Sequence, residues 1–195
     1  AVYGLSYHSR EIRDPFYDEV KAAGVRGCEI LLAHGGDDRH IPFDRRKLEQ
    51  SGFDYIALGH IHKPAVLKKD RIIYAGALEP TDINDTGEHG YVKGEVNGHE
   101  VHTRWVPCAS RAYIHLSAEV CRDDTTGSIA KKIGQWICEN GTENIYRIEL
   151  RGKRDPDVLL DTSRMAEEGN ILEITDRTSP AYDFEKLYAE HKDSI

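Results

Sequence analysis

Tyr55-Ile56-Ala57-Leu58-Gly59-His60-Ile61-His62-Lys63-Pro64 decides how this chain reads. An apolar run ends in glycine and is followed by two histidines at i and i+2. In extended backbone, side chains two apart share a face, so both imidazoles are expected to address one point beyond a strand end. Gly59 lets the backbone come close to whatever is bound there. Upstream, Glu29-Ile30-Leu31-Leu32-Ala33-His34-Gly35-Gly36 repeats the design, with an apolar run, a histidine and then glycine. His34, His60 and His62 are therefore candidate metal ligands delivered from two strand ends, neutral imidazole being the commonest metal ligand.

At these residues the chain resembles a family. Leu58-Gly59-His60-Ile61-His62 is similar to the GHxH motif of the calcineurin-like metallophosphoesterases, and Leu32-Ala33-His34-Gly35 to the single-histidine motif that precedes it. The order of the following segments, Arg71-Ile72-Ile73-Tyr74-Ala75-Gly76-Ala77-Leu78-Glu79-Pro80 and then Gly87-Glu88-His89-Gly90-Tyr91, resembles the SbcD-type DNA-repair exonucleases. The resemblance covers residues 1–108. It implies an α/β fold made of the C-terminal half of a metallophosphoesterase β-sandwich flanked by helices. A small βαβαβα capping domain over 109–195 would follow.

The resemblance also implies chemistry. Two divalent ions, manganese first and iron or zinc as alternatives, would be held by mixed His, Asp and Asn ligands. His34 and His60 would bind one ion and His62 the other. The chain has no Asn-His pair and no Asp-x-His expected at a strand end, and the one Gly-Asp, Gly36-Asp37, falls after His34 instead of before it. The expectation is thus a C-terminal portion with no catalytic residue of its own, inactive in isolation. Its substrate in an intact enzyme would be DNA, with an SbcC-like ATPase or a second copy as possible partners. Two other readings stay open: a metallophosphoesterase for nucleotides or phosphoproteins, and a non-enzymatic docking or dimerisation portion. His8 is expected on a strand end near the site, as a surface or supporting residue. His40, His89, His99, His102, His115 and His191 are expected, like His8, to be surface or supporting residues.

Composition narrows the class without reaching the activity. The 195 residues are 39% hydrophobic and 31% charged, which suits a globular core with a solvated surface. No stretch approaches the ~20 apolar residues that span a bilayer, and no signal peptide is visible. Cys28, Cys108, Cys121 and Cys138 are widely spaced without a CxxC, so reduced thiols and a cytoplasmic location are expected. A net charge of −8 is unlike the basic footprint of a nucleic-acid binder. Against that stand local basic clusters at Arg45-Arg46-Lys47, at Lys63, Lys68-Lys69 and Arg71, and at Arg151, Lys153 and Arg154, together with the positive charge that bound metal would bring.

Along the chain, Asp14-Pro15 is expected to start a helix that Gly24 stops. Strands are expected at 27–33, 53–58, 71–75 and 91–96, with a basic helix over 43–50. Asn97-Gly98 reads as a two-residue hairpin turn leading back through 100–106. The early strands are continuously apolar, as when helices cover both faces of a sheet. Beyond a boundary at 107–110 come a strand over 112–118, a helix over 128–139 and a strand over 144–150. A helix from Asp155-Pro156 to Gly169, a strand over 170–174 and a terminal helix over 182–191 complete the reading.

Overall fold

A computed structural model describes residues 1–182 and Tyr188, and it divides into two units, Ala1–Ser110 and Arg111–Ile195. Both mix strands with few helices: the first holds a five-stranded sheet and a separate strand pair, the second one four-stranded sheet. The terminal helix expected over 182–191 lies outside the described residues.

In the first unit, β1 (Val2–Gly4), β2 (Ile30–His34), β3 (Tyr55–Gly59), β4 (Ala65–Lys68) and β5 (Ile72–Tyr74) form one sheet in the order β1-β2-β3-β5-β4. All neighbours are parallel except β4, which runs antiparallel to β5. Alternate residues Leu31, Ala33, Ile56, Leu58, Ile72 and Tyr74 point to one face and are buried there with Tyr17, Leu48 and Phe53. Leu48 comes from a short helix, α1 (Arg45–Glu49), whose N-cap Asp44 accepts the Arg46 N–H.

The opposite face corrects the sequence expectation. Val2, Gly4, Leu32 and Ala57 share it by register, and Val2 and Leu32 are 66% and 52% exposed. Apolar alternation was therefore hidden within a continuously apolar run, and helices do not cover both sides here. The helix expected from Asp14 to Gly24 is also absent. Only a 3-10 turn, Phe16–Asp18, forms. The segment's polar groups bond elsewhere: Asp18 accepts the Asp44 N–H, Ala22 N–H donates to Ser51 and Ala23 N–H to Glu29. Long-range partners replace the i→i−4 ladder that a helix needs.

β6 (Gly90–Asn97) and β7 (Glu100–Pro107) make a separate antiparallel pair, turning at Gly98-His99, one residue on from the expected position. Trp105 Nε1 donates to the Ala75 carbonyl at 3.1 Å, and Asp70 accepts the Thr103 N–H at 2.6 Å. These bonds fasten the hairpin beside β5.

The second unit orders its elements as β8 (Tyr113–Val120), α2 (Thr126–Asn140), β9 (Ile145–Arg154), α3 (Thr162–Met165), β10 (Ile171–Asp176) and β11 (Ser179–Pro180). β8 and β10 flank β9, all parallel. Ile129, Ile133 and Ile137, one helical turn apart along α2, pack on Tyr146, Ile148 and Leu150. Thr125 and Ser128 cap α2 reciprocally. The helix expected from Asp155 is displaced: Asp155 accepts the Asp157 N–H and folds a turn, and Arg154 holds the Val158 carbonyl at 2.8 Å. Asp161 is the true N-cap, accepting from Ser163 and Arg164, and only α3 and a 3-10 turn, Ala166–Glu168, follow.

Candidate metal centre

β2 and β3 lie in parallel register with His34 opposite Gly59, so His34 and His60 leave the sheet side by side at its carboxyl end. Open α/β sheets place their ligands at that edge. The His34 and His60 rings meet edge-on, with centroids 5.2 Å apart. Gly59 makes room for this: a β-carbon there would stand 3.1 Å from His34 Nδ1.

The backbone of His34 is gripped by two tyrosines. Its N–H donates to Tyr17 Oη at 2.9 Å, and the Tyr7 hydroxyl donates to its carbonyl at 3.0 Å. The Tyr7 ring also packs edge-on against the imidazole, at 5.5 Å between centroids. Burial lowers the pKa of His34, and the neighbouring His60 and His40 push it the same way.

After His34 the chain doubles back sharply. Gly35, at φ 146, passes so close to the His40 carbonyl that a β-carbon would overlap it, and Gly36 N–H donates to that carbonyl at 2.7 Å. The buried Tyr74 hydroxyl donates to the Gly35 carbonyl at 2.8 Å, and burial together with the Asp37 charge pushes its pKa up to about 12. This return brings Asp37 and His40 to His60. Asp37 Oδ2 lies 2.6 Å from His60 Nε2, and Asp37 Oδ1 lies 2.8 Å from His40 Nδ1. The His60 contact, followed by the Arg39 N–H, holds the Asp37 carboxyl well below the usual carboxylate range. Among the described residues, Asp37, His40 and His60 each offer a donor atom within 4.8 Å of the others.

The predicted residues are placed as follows. His34 and His60 come together. His62 takes a different set of neighbours, because extended backbone stops at Gly59 and His60 sits at φ 91, so the i and i+2 side chains lose the common direction of a strand. His62 Nδ1 lies 2.8 Å from Asp85 Oδ2 and 3.1 Å from Thr81 Oγ1. Burial works against ionising Asp85, yet the Thr81 hydroxyl and N–H and the His62 ring bring its pKa down to about 2. His62 Nε2 is left outside these contacts, the arrangement in which a carboxylate orients a ligating histidine. His40 stands beside Asp37 and His60, the supporting position that was one of the two expected for it. His8 lies against Phe16, with ring centroids 6.2 Å apart.

The donor chemistry fits divalent transition metals. Imidazoles with one carboxylate suit manganese, iron or zinc better than the all-oxygen preference of calcium or magnesium.

No family model matches the chain. Over 99 residues it is 34% identical to a Bacillus subtilis (strain 168) protein named uncharacterized metallophosphoesterase YhaO. The likeness is to a metallophosphoesterase. It takes in 47% of this chain and 24% of YhaO, so the chain spans about a quarter of that relative's length. The name of the relative agrees with the superfamily to which the histidine motifs point, and with a dependence on divalent metal. No helix among the described residues is long and apolar enough to cross a membrane.

Proposed function

We propose that these residues serve metal-dependent phosphodiester hydrolysis in a DNA-repair nuclease of SbcD type, His34 and His60 binding one divalent ion and His62 a second. The observation that carries this reading is the delivery of His34 and His60 into ring contact from the carboxyl ends of two adjacent parallel strands. Similarity to a metallophosphoesterase supports it.

Divalent ions in such a centre supply Lewis acidity toward the phosphoryl oxygens. The chain's own residues bind and orient. Tyr7 and Tyr17 fix the backbone from which His34 projects. Asp37 sets the direction of the His60 ring, and Asp85 with Thr81 sets that of His62. The described donors are histidines apart from Asp37, and the carboxylate expected to bridge two ions has no counterpart in the motifs quoted above. The isolated 195-residue chain is accordingly inactive in this proposal.

The test compares this chain with a longer protein that carries it, each with Mn²⁺, on linear duplex DNA, on a chromogenic phosphodiester and on a cyclic nucleotide. Expected is DNA cleavage by the longer protein, abolished by His60→Ala and His62→Ala, and none by the chain alone. Cleavage of the cyclic nucleotide with no action on DNA would move the substrate to the nucleotide class. Turnover by the isolated chain, lost in His60→Ala, would overturn its expected inactivity.

A further inference from the structure

Residues 75–89 join β5 to β6 without forming a helix or an extended strand, so their backbone groups need partners outside a ladder. This loop carries Thr81 and Asp85, which meet the His62 ring. None of residues 75–88 is buried, whereas His89 is only 3% exposed. A buried polar ring is expected to be bonded, and both nitrogens of His89 face carbonyls. Nε2 lies 3.0 Å from the Asp85 carbonyl oxygen, and Nδ1 lies 3.3 Å from that of Ala77.

Those two carbonyls belong to the residues that hold His62. The Ala77 N–H donates to the His62 carbonyl at 2.9 Å. Gly76, at φ 82, passes so near that oxygen that a β-carbon would overlap it. Asp85 places its carboxylate on the His62 ring. One buried side chain thus touches both the residue that fixes the backbone of His62 and the residue that fixes its imidazole. His89 is itself anchored, since its carbonyl accepts the N–H groups of Cys108 and Ala109, just past β7, at 3.0 and 3.2 Å.

A neutral imidazole has one N–H to donate. The Ala77 carbonyl also receives the Gly90 N–H at 3.2 Å, so the proton of His89 serves Asp85, the shorter contact. We propose that His89 is a positioning residue for His62: its Nε2–H holds the Asp85 backbone and so keeps the Asp85 carboxylate on His62 Nδ1. The inference rests on the reading of His62 as a metal ligand and adds the residue that sets its direction at one remove. Asp85 orients the ring, and His89 orients Asp85.

Three substitutions test this in the isolated chain. His89→Leu fills the space without a donor, His89→Gln offers an N–H on the Nε2 side, and His89→Asn offers one on the Nδ1 side. Nitrogen-resolved NMR at about pH 8.5, where an ordinary imidazole is neutral, reads the tautomer of His62, and urea midpoints check the fold. Expected is Nδ1–H in wild type and in His89→Gln, with mixed tautomers in His89→Leu and His89→Asn. A merely structural histidine would lower the midpoint in all three without this split. An unchanged His62 in His89→Leu and His89→Asn would overturn the inference. Mixing in folded His89→Gln as deep as in His89→Asn would do so too, and that pair decides the matter where His89→Leu does not fold. In the longer protein, His89→Asn should raise the Mn²⁺ concentration for half-maximal activity by less than the about 10-fold expected of Asp85→Asn. A tautomer split with no change in Mn²⁺ demand would support the positioning and count against His62 as a ligand.

Discussion

Asp85 Oδ2 lies 2.8 Å from His62 Nδ1, and Thr81 donates to the same oxygen through its hydroxyl and its N–H. The proton of His62 is thereby directed to Nδ1, leaving Nε2 as the lone-pair nitrogen. Nitrogen-resolved NMR of the chain should show the Nδ1–H tautomer, and Asp85→Asn should mix the tautomers. In a longer active protein the same substitution should raise the Mn²⁺ concentration for half-maximal activity by about 10-fold. An unchanged tautomer would show that Asp85 does not orient the ring.

Gly59→Ala should damage the site while sparing the fold. The new β-carbon would stand 3.1 Å from His34 Nδ1, so the ring must give way by some tenths of an ångström. Chemical shifts of His34 should move while the urea midpoint changes little. A normal His34 spectrum would mean that the ring has slack the structure does not show.

Tyr17→Phe removes a buried hydroxyl and orphans the His34 N–H. A fully buried donor without a partner costs roughly 1–3 kcal/mol; this bond is part-buried, so a loss toward the lower end should appear as a lower urea midpoint. Tyr7→Phe, at a more exposed bond to the same residue, should cost less. Reversal of that order would contradict the assignment of Tyr17 as the main anchor.

In the second unit, Ile133→Ala empties a fully buried position under α2 and should cost about 2–5 kcal/mol. Chemical denaturation followed by Trp136 fluorescence reports it directly, since Trp136 packs on the same cluster. A change below about 0.5 kcal/mol would show a poorly packed helix–sheet interface.

Asp124 makes stability pH-dependent. Burial alone would raise its pKa, but the Lys132 ammonium, the Cys121 N–H and the Ser128 hydroxyl outweigh burial and lower it. A depressed folded pKa contributes stability that is complete above the unfolded value, about 3.9, and that is lost as pH falls through the folded value. Asp124→Asn should therefore destabilise the chain by roughly 1–3 kcal/mol at pH 7, with the gap to wild type closing in strong acid. An equal gap at both pH values would defeat the linkage.

The meeting of His34 and His60 at two strand ends was legible because an apolar run followed by Gly or His is a local signal. The approach of Asp37 and His40 to His60 was not legible. What brings them to His60 is the return at Gly35 and Gly36, stabilised by Tyr74 from a distant strand, and no periodicity encodes that contact. The direction of His62 was not legible, since the inference of a shared face assumed extended backbone through a residue that turns. The helix expected from Asp155 failed for a nearer reason: the aspartate that reads as a cap spends its oxygen on a turn of its own. At Leu32 the continuous apolar run gave no way to tell a covered face from an open one.

His60 occupies φ 91, a conformation that suits glycine and strains a residue with a β-carbon. His60→Gly should relax that peptide while deleting the imidazole, so backbone comfort and ligand chemistry pull in opposite directions at one position. A library screened only for thermal tolerance should accumulate glycine there, whereas a library screened for metal retention should keep histidine. Divergence between the two screens would turn this dihedral angle into a readout of what the loop is for.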